Sequence, residues 1–75
     1  MRLLAFGKLS HLNVDDLAVP PTVTDTDALR RFLGQRWPQI AAPEIRIAVN
    51  QTLVQGVVPL SPDDEIAFLP PMSGG

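Results

Sequence analysis

The sequence predicts an α+β domain in which one amphipathic helix covers a mixed β-sheet. Two observations carry that expectation. One is a helical stripe, Leu29, Phe32, Leu33 and Trp37, with Arg30, Arg31, Gln35 and Arg36 on the other face. The other is a set of short apolar or alternating runs, led by Ile45, Ile47 and Val49 against Arg46 and Ala48. A lone helix has to bury its stripe against something, and here only a sheet is on offer.

Composition sets the bounds. At 75 residues there is room for one domain, and chains this short bury only roughly 60% of the surface they expose when unfolded. A hydrophobic share of 45% with 19% charged residues is that of a globular protein. The net charge of −2 argues against nucleic acid as a partner, because neutralising phosphates takes clustered Lys and Arg. No apolar run approaches the ~20 residues a membrane span needs, and no signal-peptide pattern opens the sequence. Cysteine is absent, which removes disulfides, a thiol nucleophile and thiolate metal sites. A cytoplasmic location is the expectation these features permit.

Taken in order, Leu3, Leu4, Ala5 and Phe6 form an apolar run consistent with a buried strand, closed by Gly7. Run length alone does not separate it from helix. Lys8 to Asn13 has room for one helical turn around Leu9 and Leu12, with His11 an isolated surface residue. Leu17, Ala18 and Val19 predict a second short strand within 15–19, ended by Pro20 and Pro21. Asp25 is the predicted helix N-cap, with Asp27 in the first turn where its charge meets the positive end of the helix dipole. Pro38 is expected to end the helix. A strand follows over 44–50, a turn at Asn50-Gln51, and a short return strand at Thr52, Leu53 and Val54, making a hairpin. Leu60 reads as a plug into the core, Ser61 to Asp64 as a turn, and Glu65 to Leu69 as the last strand. Ile66 and Phe68 share one face of it; Ala67 and Leu69 take the other.

One helix across a mixed sheet of about five strands, in this order, is the β-grasp arrangement of ubiquitin-like proteins. It places the first and last strands side by side in parallel at the sheet centre. The domain is expected to span 1–69, with 70–75 as an arm. Pro70 and Pro71 donate no ladder hydrogen bonds and favour extended backbone, so regular structure should stop at about Leu69. Met72, Ser73, Gly74 and Gly75 gain little from burial and are expected to be mobile. An arm stiff at its base and bare at its tip suits threading into a narrow channel, although a frayed end has the same composition.

The chemistry on offer is sparse. There is no glycine-rich phosphate loop, no Ser or Thr with a credible base, and no metal-ligand set. Asp63, Asp64 and Glu65 read as solvated turn acids, since acid–base work needs groups converging from a cleft. The arginines of the helix read as its solvated back. By itself the chain is not expected to be an enzyme. Its distinctive group is the expected terminal carboxylate of Gly75, which needs activation by a partner before a nucleophile can attack it. Glycine at 74 and 75 lets another backbone or a channel wall come close. Leu53 and Leu69 are expected to share the outer sheet face beside the arm, as a docking patch.

The residues from Ala48 to Val54, then Pro59-Leu60, then Asp64 to Gly75 ending Phe-Leu-Pro-Pro-Met-Ser-Gly-Gly, resemble the small subunits of molybdopterin synthases. That family often has two aromatics before Pro-Pro; here Leu69 replaces the second, keeping the apolar contact but not ring stacking. The resemblance implies a sulfur carrier with no cofactor of its own. An E1-like adenylyltransferase using ATP and magnesium would activate Gly75. A sulfurtransferase would then convert the acyl adenylate to a thiocarboxylate. The arm would insert into the large catalytic subunit, in a heterotetramer, and give sulfur to cyclic pyranopterin monophosphate to form the molybdopterin dithiolene. Carried over, Gly75 bears the sulfur and Gly74 precedes it in the tunnel. Phe68, Leu69, Pro70, Pro71, Met72 and Ser73 form the gripped arm and its base, and Leu53 belongs to the shared interface. The rival expectations are a sulfur carrier for thiazole or tungsten-pterin synthesis, a modifier joined to lysines through Gly75, and an interaction domain whose arm does no chemistry.

Overall fold

The computed structural model describes residues 1–71. The final strand, β4 (Glu65–Leu69), is the spine of the sheet. It pairs in parallel with β1 (Arg2–Ala5) on one side and antiparallel with β2 (Arg46–Val49) on the other. The return strand of the hairpin, β3 (Thr52–Val54), lies beyond β2, so the order is β1-β4-β2-β3. One helix, α1 (Thr26–Gly34), supplies the covering layer. Short 3-10 turns occur at Gly7–Leu9, Val14–Asp16 and Pro38–Ala41.

Sheet register explains the core. Leu3 lies opposite Ile66, Ala5 opposite Phe68, and Phe68 opposite Ile47, so these residues share one face. Leu29 and Leu33 from α1 and Ile40 from the turn after it close over that face, all three with Ile66 and Phe68 fully buried. Burying each such side chain stabilises the fold by about 1.5–3 kcal/mol before chain entropy is counted. Leu60 plugs the core as expected, and Leu9, Leu12 and Val14 seal one end of it.

The helix starts where the sequence places it. Asp25 Oδ1 accepts the Ala28 N–H at 2.7 Å, satisfying a donor that the first turn leaves free. Thr26, a buried polar residue, accepts the Val58 N–H at 3.0 Å and donates to the Gly56 carbonyl at 3.3 Å. These bonds tie the helix start to the crossing segment 56–60, which also forms an isolated bridge between Asp25 and Pro59. The helix ends earlier than expected, at Gly34, and not against Pro38. A residue before proline is pushed out of helical geometry by the ring, and Trp37 indeed has φ −126 and ψ 83. Pro38 instead opens the next 3-10 turn, a position where its missing N–H costs nothing.

The strand expected within 15–19 does not form; the sheet has four strands among the described residues. Val14–Asp16 is a 3-10 turn, and Leu17 and Val19 pack on the core from irregular backbone. Three apolar residues followed by two prolines without N–H donors are too little to build a ladder. β1 is therefore an edge strand, and only β4 has the interior position expected of both. The Arg2 and Phe6 N–H groups face β4, bonding to Asp64 and Phe68 carbonyls at 3.0 and 3.1 Å. The alternate Leu3 N–H points to the open edge, where Asp15 Oδ1 accepts it at 3.2 Å. A side chain thus does there what a neighbouring strand would do.

The hairpin turn is held by residues with left-handed backbone, Asn50 (φ 51) and Gln51 (φ 71), the geometry that matches strand twist. Asn50 suits it twice, because its side chain also clamps β4. Its amide donates to Asp64 Oδ1 at 3.0 Å, and its Oδ1 accepts the Glu65 N–H at 3.0 Å. Asp64 Oδ2 accepts the Ser61 N–H at 2.8 Å, closing the expected turn.

These clamps set two expectations for solution measurements. Asp15→Ala should lower stability by about 1 kcal/mol in urea unfolding, with Asp15→Asn losing less because it keeps an acceptor; equal stability of all three proteins would refute the edge-capping role. The Ser61 N–H and then the Asn50 amide hold the Asp64 carboxyl below its ordinary value of 3.8. A depressed folded value means that the contribution is complete above that ordinary value and is lost as pH falls through the lower, folded one. The stability gap between wild type and Asp64→Ala should accordingly be full at neutral pH and narrow below about pH 3.8. A gap independent of pH in acid titrations would refute this.

Candidate functional site: an outer sheet face leading to the arm

Strand alternation gives the sheet a second, unfilled face. Opposite the core, Leu4 lies across from Ala67, Ala67 from Ala48, and Ala48 from Leu53. Leu69 lies across from Arg46 on the same face. Val54 pairs with Ile47 and packs on the core side, which turns Leu53 outward as expected. Phe6 continues this face one residue past β1, lining the same depression as Leu4, Leu53 and Leu69. Leu53 is 52% exposed and Phe6 46%, high values for such large apolar side chains. Ala48 and Ala67 are shielded by their neighbours but belong to no core cluster. Small residues in the middle with large ones at the margins make a shallow apolar dish.

The dish runs on to the arm. Leu53 and Leu69 also line a second depression together with Glu44, Arg46, Pro70 and Pro71. Pro70 is half-buried and Pro71 exposed. On the other side of the arm's base lies a groove lined by Lys8, His11 and Glu44 and floored by Leu9, Ala42 and Ile45. His11 is exposed, as expected, and the fold sets it beside the prolines.

The corner 42–45 that walls this groove is pinned from the helix. Arg30 Nη1 donates to the Ala42 carbonyl at 3.1 Å and to the Ile45 carbonyl at 2.8 Å. Arg30 is thus half-buried structure, and not part of a uniformly solvated helix back. Arg31 and Arg36 do keep to the surface, Arg31 paired with Asp27 at 3.1 Å and Arg36 lying 5.1 Å from the Trp37 ring centre.

Phe68 needs correction as a residue for partners to grip. It has no exposed surface and sits in the core opposite Ile47 and Ala5, because its position on β4 alternates with the outward Ala67 and Leu69. Its part is to anchor the strand from which the arm departs. Leu53, Leu69, Pro70 and Pro71 do come together at one margin of the sheet. Met72, Ser73, Gly74 and Gly75 lie outside the described residues. Sequence reasoning missed Leu4, Phe6 and Arg30. The 3–6 run is apolar on both faces, so its alternation carries no signal for which members face outward.

Among the described residues no group of His, Cys, Asp and Glu is placed to hold a metal ion, and no helix is long and apolar enough to cross a membrane. What the arrangement offers is an exposed apolar face with Pro70 and Pro71 at its margin.

Over its full length the chain is 34% identical to the molybdopterin synthase sulfur carrier subunit of Escherichia coli (strain K12), covering 99% of that protein. It is 30% identical to the protein of the same name from Haemophilus influenzae (strain ATCC 51907 / DSM 11121 / KW20 / Rd), again over its full length and 99% of the relative. The ThiS family model matches residues 3–75, a span that takes in the sheet, the helix and the arm. The chain is a homologue of molybdopterin synthase sulfur carrier subunits and belongs to the ThiS family.

Proposed function

We propose that this chain is the sulfur carrier of a molybdopterin synthase, with the terminal carboxylate of Gly75 as the group that is charged. The observation that carries the reading is the full-length relationship to two molybdopterin synthase sulfur carrier subunits. The apolar dish that leads to Pro70 and Pro71 supports it physically, since a carrier needs a body to dock and an arm to deliver.

The chemistry starts from the inertness of a carboxylate. Its charge and resonance repel nucleophiles, so a Gly75 oxygen first attacks the α-phosphorus of ATP in an E1-like partner, with magnesium, and pyrophosphate leaves. A persulfide carried by a sulfurtransferase then adds to the acyl carbonyl and AMP departs; a second thiol cleaves the resulting acyl disulfide, becoming a disulfide itself and leaving a thiocarboxylate. Within the large subunit that sulfur attacks a side-chain carbon of cyclic pyranopterin monophosphate, forming a carbon–sulfur bond as a carbon–oxygen bond at that carbon breaks and the oxygen leaves. Water then cleaves the acyl–sulfur bond, so sulfur stays on the pterin and the carrier regains its carboxylate. Two such deliveries make one dithiolene, and spent carriers have to exchange for charged ones. A docking face that is polar at its rim (Glu44, Arg46, Glu65) suits that exchange better than a wholly apolar one.

The decisive experiment is intact mass measurement after incubation with the adenylating partner, ATP and a sulfur donor. The expected change is one oxygen replaced by sulfur at Gly75, and the charged protein with its large subunit should then yield molybdopterin. Unchanged mass where a relative responds would overturn the carrier reading; charging without molybdopterin would move it to another pathway. Adding one residue after Gly75 should abolish charging with no change in unfolding midpoint. A separate outcome concerns docking: Leu53→Glu should weaken large-subunit binding by roughly tenfold or more, because it puts a charge into a desolvated apolar contact. Calorimetry showing unaltered affinity would remove the dish from the interface.

A further inference from the structure

We propose that Gly7 is a positioning residue for the arm: its missing side chain seats the Pro70 ring and thereby sets the direction in which the arm leaves the sheet. The inference rests on the carrier reading, since direction matters only if the arm has a destination.

The geometry begins with the parallel strands. Ala5 lies opposite Phe68, and the ladder continues one step further through the Phe6 N–H and the Phe68 carbonyl at 3.1 Å. Both strands therefore end on the same side of the sheet, and their exit segments lie against each other. After β1 the chain turns at Gly7, whose φ of +59 is left-handed. After β4 comes Pro70. A Cβ built on Gly7 would lie 2.7 Å from Pro70 Cγ and 3.4 Å from its Cδ. The first distance is well inside carbon–carbon contact, so backbone and ring touch directly with no room for a methyl group.

The contact bears on direction because neither side can yield cheaply. A proline ring can change its pucker but cannot swing away, because Cδ, which would lie 3.4 Å from the new Cβ, is tied to the backbone nitrogen and φ is locked near −65°. Across the arm's base stands the corner 42–45, held by Arg30 from the helix. A side chain at position 7 therefore has to move Pro70 itself, and Pro71, joined to it, with it. Left-handed backbone alone does not explain the glycine. Asparagine adopts that conformation readily, so the close approach is what singles out a residue without Cβ.

That difference supplies the test. Gly7→Asn tolerates the backbone angle and introduces the Cβ; Pro70→Ala removes the ring atoms the Cβ would strike. Charging by the adenylating partner is measured as kcat and KM for wild type, both single variants and the double variant. Gly7→Asn should lower kcat/KM by roughly tenfold or more when Pro70 is present, as expected for a displaced reacting group. In the Pro70→Ala background the same change should cost less than about threefold, because the two residues act through one contact. A merely structural glycine would shift the unfolding midpoint and leave this coupling at zero. Equal losses in both backgrounds, or no loss with Pro70 present, overturn the proposal while wild-type charging upholds the carrier reading. A wild-type chain that gains no sulfur overturns both. Should Gly7→Asn not fold, nuclear Overhauser contacts between Gly7 Hα and the Pro70 ring in wild type decide: their presence supports the proposal, and their absence overturns it.

Discussion

The parallel pairing of β1 with β4 is the constraint on which the rest of the molecule depends. It joins the two ends of the chain, setting Leu3 against Ile66 and Ala5 against Phe68. The core assembles on that pair, with Leu29, Leu33 and Ile40 closing over it. The same pairing brings the exit of β1 beside the exit of β4, so that Gly7 and Pro70 meet. Parallel strands need a long crossover between them, and nearly the whole chain serves as that crossover. A body built this way holds its C-terminal arm through its first strand.

The alternation of β4 divides the labour between stability and recognition. Ile66 and Phe68 face the helix and are wholly buried, while Ala67 and Leu69 face outward. On the outward side the two central alanines, Ala48 and Ala67, keep the surface low, and Leu53 and Phe6 stand at its margins. A small domain has little apolar surface to spare, and leaving such residues exposed lowers its own stability. The docking role proposed for this face accounts for the arrangement.

Small clamps replace what a larger core would provide. Asp15 closes the open edge of β1, Thr26 ties the helix start to the 56–58 segment, and Asn50 with Asp64 locks the hairpin turn to the start of β4. Each uses a polar side chain to satisfy backbone groups that regular structure leaves over, which is where isolated hydrogen bonds contribute most. The chain needs no catalytic cleft for the proposed role. What it needs is a rigid mount for the arm, and the clamps are arranged around the strand that carries it.

The α+β class, the helix with its Asp25 cap, the hairpin, the extent of β4 and the outward turn of Leu53 and Leu69 are all legible from residue pattern. These rest on local periods and capping chemistry, which neighbouring residues decide among themselves. The tertiary structure alone decided that residues 15–19 make no strand, that Arg30 pins a corner while Arg31 stays on the surface, and that Phe68 anchors the core. It also decided which members of the apolar 3–6 run face outward, and it brought Gly7 to Pro70. The reason is range: whether an apolar triplet joins a sheet, or an arginine finds carbonyls, depends on residues distant in the chain that only folding brings near.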